Sequence, residues 1–121
     1  MRVKKIKIGI KDLKTALDDF VKTGEAIERG EKVKRETGVY FTSFMAFRKV
    51  MTPKRLELLH IIKTKKPSSL NELARMAKRD VKNVIDDVKY LEQVGLIEKK
   101  ETDNKIAPFI KYDKMVLEIA V

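Results

Sequence analysis

The chain contains no cysteine and no tryptophan, one histidine, five glycines and three prolines among its 121 residues. Without cysteine there is no disulfide framework, no thiolate zinc site and no thiol nucleophile. A single histidine, His60, excludes a histidine-rich metal site within one chain. It stands beside Leu59 on an expected helix and reads as a structural residue sooner than as a ligand or pH switch. The glycines are scattered (Gly9, Gly24, Gly30, Gly38, Gly95) and build no phosphate-cradling loop. Asp18-Asp19 and Asp86-Asp87 are paired carboxylates, but sequence neighbours point in different directions on a helix, so neither pair defines acid/base geometry. No residue set for an enzyme, a metal or a cofactor remains. No apolar run approaches the roughly 20 residues of a membrane span. The basic start Met1-Arg2-Val3-Lys4-Lys5 precedes an apolar stretch broken by Lys7 and Lys11, unlike a secretion signal. The expectation is a cytoplasmic protein without membrane partners.

What the chain has in quantity is positive charge, with 28 Lys and Arg against 18 Asp and Glu, net +10. Residues 1–52 carry 13 basic and 7 acidic residues, net +6; residues 53–100 carry 12 and 7, net +5; residues 101–121 carry 3 and 4, net −1. The excess therefore covers the first two stretches and spares the tail. A basic domain of this kind is the footprint expected of a phosphate binder, although some lysine-rich proteins are simply basic.

Hydrophobic spacing organises the chain around residues 52–97. Thr52-Pro53 offers a cap and a proline suited to the first helical position, followed by Leu56, Leu58, Leu59, Ile61 and Ile62. Pro67 stops that helix, and Ser68-Ser69 can cap a short one carrying Leu70, Leu73, Ala74 and Ala77. Asp80 can cap a third, with Val81, Val84, Ile85, Val88 and Leu91 on one stripe and Gly95 at a left-handed end. A strand from Leu96 to Lys100, turn chemistry at Asp103-Asn104 and a return segment from Ile106 to Tyr112 predict a hairpin, with Pro108 marking an edge strand or its end. Helix, short helix, tight turn, longer helix, hairpin is the order of a winged helix-turn-helix. The expected class is α+β: a three-helix core and β-hairpin wing over residues 52–121, preceded by an N-terminal strand-helix extension over residues 1–51.

In that extension Ile6, Ile8 and Ile10 alternate as in a half-buried strand. Residues 12–29 carry Leu13, Ala16, Leu17, Phe20, Val21 and Ile27 at helical spacing, ended by Gly30. A loop from Glu31 to Thr37, a short strand at Val39-Tyr40-Phe41 and a helix capped by Ser43 with Phe44, Phe47, Val50 and Met51 complete it. The extension either completes the core or forms a dimer or partner surface, and a homodimer is the expectation because DNA readers usually work as symmetric pairs. The apolar run 115–121 has strand character and is expected to pair with Val3–Ile10, in the same chain or in a partner.

On the third helix the face opposite the apolar stripe carries Lys82, Asn83, Asp86 and Tyr90, flanked by Asp87 and Lys89. With residues 80–94 in a major groove, Asn83 suits adenine and Lys82 suits guanine or a phosphate. Arg79 is placed for a phosphate or a guanine. Ser68 and Ser69 can hold a phosphate at the second helix N-terminus. Lys54 and Arg55 suit flanking phosphates. Lys99, Lys100 and Lys105, on a wing spanning about 96–112, suit the flanking backbone or minor groove. Asp86 cuts against this: a carboxylate there reads a cytosine amino group, orients Lys82, or excludes DNA from the face.

The run Met51-Thr52-Pro53-Lys54-Arg55-Leu56-Glu57-Leu58-Leu59 resembles the opening of the winged helix in MarR-type regulators. Leu70-Asn71-Glu72-Leu73-Ala74, Asp80-Val81-Lys82-Asn83-Val84 and Tyr90-Leu91-Glu92-Gln93-Val94-Gly95-Leu96-Ile97 continue the pattern. With Phe44, Phe47 and Tyr112-Asp113, the chain is similar to the small MarR-like DNA-binding winged-helix proteins of archaea and bacteria. That resemblance implies a dimeric transcriptional regulator binding double-stranded DNA, with repression the expected action. Its alternative is an interaction module with a cognate protein partner, such as a small toxin.

Overall fold

Local side-chain chemistry sets where the helices begin. In the computed structural model, which describes residues 3–31 and 38–119, five residues with extended backbone cap five helices. Asp12 accepts from the Thr15 amide and opens α1 (Leu13–Glu28). Ser43 accepts from Ala46 and opens α2 (Phe44–Val50). Thr52, with Pro53 at the first helical position, opens α3 (Pro53–Lys65). Ser69 opens α4 (Leu70–Ala77), and Asp80 accepts from both Lys82 and Asn83 to open α5 (Val81–Gln93). Each such cap satisfies an amide that the helix itself leaves unpaired. Lys66 and Lys78 close α3 and α4 in left-handed conformation, and Gly95 takes φ +91° just beyond α5.

The five strands form two sheets. β1 (Lys5–Ile10) lies between β2 (Gly38–Phe41) and β5 (Lys114–Glu118), parallel to both. The expected pairing of the last strand with the first thus occurs within one chain. β3 (Glu98–Thr102) and β4 (Lys105–Phe109) make a separate antiparallel hairpin. Its two-residue turn, Asp103-Asn104, has φ +48° and +63°. Both residue types tolerate the left-handed region, and two such residues in a row are what a tight hairpin turn needs.

One core joins these parts. Leu58, Leu59, Ile61 and Ile62 of α3, Leu73 and Ala74 of α4, and Val84, Val88 and Leu91 of α5 are buried together with Leu96 and Ile97. Ile8, Phe41 and Val50 extend it under the parallel sheet. Each fully buried aliphatic side chain contributes about 1.5–3 kcal/mol relative to exposure. Tyr112 seals the join by donating its hydroxyl to the Leu96 carbonyl at 2.8 Å. Burial pushes its phenol up to about 12. Asp113 ties three elements: it accepts from the Lys4 amide at 2.8 Å and from Lys63 of α3 at 3.1 Å. Those two donors, the Lys4 amide first, hold its carboxyl below the usual range.

Two features differ from expectation, and part of a third lies beyond what the structure describes. The first hairpin strand begins at Glu98, not Leu96, because Leu96 and Ile97 turn into the core at 1% and 2% exposure before the pairing starts. The loop expected from Glu31 to Thr37 lies, after Glu31, outside the described residues, as do the last two residues of the C-terminal run. The helix over 12–29 forms with its amphipathic pattern, yet α1 has no buried residue. It is held to the sheet by polar contact: Lys11 pairs with Asp19 at 2.7 Å and lies 4.6 Å from the Tyr40 ring centroid. Among the described residues, no helix is long and apolar enough to cross a membrane.

Candidate nucleic-acid interface

The apolar stripe of α5 decides which face remains outside. Val84, Val88 and Leu91 are completely buried, so Lys82, Asn83, Asp86, Lys89 and Tyr90 stand exposed on the other side. Asp80 holds the first turn of α5, leaving the Lys82 and Asn83 side chains directed outward from a capped start. Among the described residues, Asp86 has no hydrogen-bond or ion-pair partner, and neither do the side chains of Lys82 and Asn83. Lys82 and Asp86 share a face four residues apart without closing an ion pair.

Asp87 fixes α5 to its neighbours. It accepts from Arg55 Nε at 3.0 Å and from Arg79 Nη2 at 2.7 Å. Both guanidiniums are 18% exposed and the carboxylate 16%. Burial alone pushes the Asp87 carboxyl up, but the hydrogen bonds from Arg79 and Arg55 outweigh it and hold it below the ordinary value. Arg55 also donates to the Lys49 and Val50 carbonyls, at 3.2 and 3.0 Å, and lies 4.6 Å from the Tyr90 ring centroid. One side chain of α3 thereby reaches the end of α2 and two positions on α5.

This arrangement corrects the expected roles of Arg55 and Arg79. Their spacing suggested donors turned to phosphate; instead both turn inward and share the single carboxylate of Asp87. Arg79 Nη1 is buried without a partner among the described residues. Tyr90, expected on the reading face, is half covered by Arg55 and edges that face. Lys54 remains exposed at the rim of a cleft of about 450 Å³ bounded by Thr52, Pro53, Arg55, Arg79 and Asp87.

The start of α4 also differs from expectation. Ser69 caps the Glu72 amide at 3.1 Å, while the Glu72 carboxylate accepts from the Ser68 amide at 3.3 Å and the Ser68 hydroxyl at 3.0 Å. This reciprocal contact caps the Glu72 amide and ties Ser68 to the first turn. It also sets a carboxylate where Ser68 and Ser69 were expected to receive a phosphate, and like charges there repel.

On the hairpin, alternation divides the lysines. Lys99 turns toward α5 and pairs with Glu92 at 3.6 Å. Lys100 pairs in register with Ala107, and Thr102 with Lys105, so Lys100 and Lys105 share the opposite, exposed face. The positions whose cations stay outward are therefore Lys54, Lys82, Lys89, Lys100 and Lys105. Glu72 and Glu92 are the residues sequence reasoning did not single out, and it placed Asp87 only on the flank of the face. Glu72, three residues after Ser69, carried a readable capping-box signal; the double pairing of Asp87 had none, since Arg55 lies on another helix and Arg79 in the turn before α5.

A family model, HVO_A0114, matches residues 50–117, more than half of the chain. The chain belongs to the HVO_A0114 family. The HVO_A0114 match runs from the last residue of α2 through α3, α4, α5 and the hairpin into β5, and so contains the exposed α5 face and all the cations named above. No curated protein and no solved structure matches the chain.

Proposed function

We propose that this chain is a double-stranded-DNA-binding regulator of winged helix-turn-helix type, MarR-like in pattern, with repression as its action. In this reading α4 and α5 are the helix-turn-helix, α5 enters the major groove, and the β3–β4 hairpin is the wing on the flanking backbone or minor groove. The observation that carries it is the exposed face of α5. Lys82 and Asn83 stand unpaired at its N-terminal end, the part of a recognition helix that meets base edges, and α5 is locked to its neighbours by the Arg55–Asp87–Arg79 bridge. Lys89 on the same face, and Lys100 and Lys105 on the hairpin, supply cations for phosphate. The net charge of +10 points the same way.

Asp86 favours a second reading. An unpaired carboxylate at the centre of the face suits a basic protein partner, such as a small toxin held by an antitoxin, better than a phosphate backbone.

Fluorescence anisotropy separates the two. Duplex DNA from upstream of the protein's own gene is titrated against random duplex at two salt concentrations. The regulator reading expects tighter binding to the upstream DNA, an affinity falling about 0.9 log units per log unit of salt for each phosphate contact, and weaker binding in both Lys82→Ala and Asn83→Ala. Equal weak binding to both duplexes, or indifference to both substitutions, rejects it and turns attention to a protein partner at the Asp86 face.

A further inference from the structure

α1 carries an apolar face that nothing among the described residues buries. Leu13, Leu17, Phe20, Gly24 and Ile27 recur at alternating steps of four and three, the seam spacing of paired helices. Leu13, Leu17, Phe20, Val21 and Ile27 are all more than half exposed, Phe20 at 76%. Gly24 adds an independent observation. Glycine weakens a helix interior, yet a Cβ at this position would meet nothing within 4 Å, so nothing among the described residues requires the small residue. The room is left for something outside them.

We propose that α1 is a self-docking helix, pairing antiparallel with α1 of a second copy so that each Phe20 seats over the other copy's Gly24. The same stagger sets Leu17 against Ile27 on both sides, and Val21 near its own symmetry mate. Charge selects the direction. Lys14 and Glu28 flank the seam at opposite ends and have no partner among the described residues. An antiparallel pair brings Lys14 of each copy to Glu28 of the other, twice, whereas a parallel pair leaves the two at opposite ends and makes neither contact. The helix carries two lysines against four acidic residues, which disfavours anionic lipid and DNA as occupants of this face. Sixteen residues make a helix about 24 Å long. Pairing along that length buries on the order of 1,000 Å² in total, the floor for a specific interface, which suits a weak, concentration-dependent dimer. The surface lies outside the segment matched by the family model and is distinct from the α5 face.

Sedimentation equilibrium of the full chain, from about 1 μM to about 200 μM, tests this without DNA, so it stands or falls apart from the regulator reading. Concentration-dependent dimerisation is expected. Phe20→Glu should weaken it about tenfold or more, because it sets a charge in the seam. Lys14→Glu and Glu28→Lys should each weaken it about three- to tenfold. The double variant, and a mixture of the two single variants, should recover most of the loss. A chain monomeric throughout overturns the proposal, whether or not it binds anionic vesicles. So does a dimer unmoved by Phe20→Glu, which would point to the open edge of β5, or a double variant no better than the single ones.

Discussion

Asp87 sits between two guanidiniums, and removing its charge is costly on the α5 side of the molecule. Asp87→Asn leaves Arg55 and Arg79 close together and only 18% exposed, with no counter-charge. Breaking a buried pair this way costs several kcal/mol; discounted for partial exposure, roughly 2–3 kcal/mol is expected, read from urea unfolding. The acid limb follows from the same bond. The folded carboxyl is depressed below 3.8, so its contribution is complete above the unfolded value and is lost as pH falls through the folded one. Asp87→Asn should flatten that loss. Tyr112 acts at the other extreme. Its phenol is pushed from 10.0 to about 12, so the unfolded chain loses the proton first, and stability present below pH 10 declines from there toward 12. Tyr112→Phe should cost about 1 kcal/mol at neutral pH and remove this decline, and phenolate absorbance should show one of the three tyrosines titrating late. The exposed ring of residues on α5 was legible from angle alone, because a wheel knows which side the valines occupy. The inward turn of Arg55 was not, since a wheel says nothing about a carboxylate arriving from another helix.

Elements were readable where their causes are local. Thr52-Pro53, Ser43, Asp80 and Gly95 each act on a backbone group within a few residues, and each stands where its chemistry implied. The hairpin turn belongs to the same class. Asn104, at φ +63°, tolerates the left-handed region; glycine does so without strain, and a β-branched residue does not. Asn104→Gly should leave the melting temperature unchanged or slightly raised, while Asn104→Val should cost about 1–2 kcal/mol. Thermal unfolding of the two variants checks the order, and a harmless Asn104→Val would mean that the turn is not held in this geometry. The start of β3 was misjudged for a non-local reason. Leu96 and Ile97 fit a strand by composition, but the core formed by α3, α4 and α5 claims them first. Pro108, paired with Lys99 on a two-stranded hairpin, has no neighbour that needs its missing amide.

At the scale of the molecule, the parallel sheet closes the chain on itself while α1 stays outside the closure, and this contrast sets the expected map of local stability. β1 pairs on both sides, with β2 and β5, although β5 lies more than 100 residues along the chain. The terminal run was too apolar to stand free, so a partner for it was legible; that α1 would bury nothing was not, because an amphipathic stripe records that a helix has an apolar face and not whose core that face meets. Amides around the buried Leu73 and Ala74 of α4 and Val84, Val88 and Leu91 of α5 should exchange only on global unfolding. Amides in α1 depend on a helix with no buried residue and should open at least about 2 kcal/mol more easily, a difference of roughly thirty-fold in protection. Hydrogen exchange followed by mass spectrometry at low micromolar concentration would measure this directly. Repeating it near 200 μM gives the contrast its meaning. If α1 alone gains protection with concentration while α4 and α5 do not change, the helix is ordered by a second copy. If α1 is already protected as well as α5 in dilute solution, its apolar face is covered within the single chain and the fold described above is wrong at that helix.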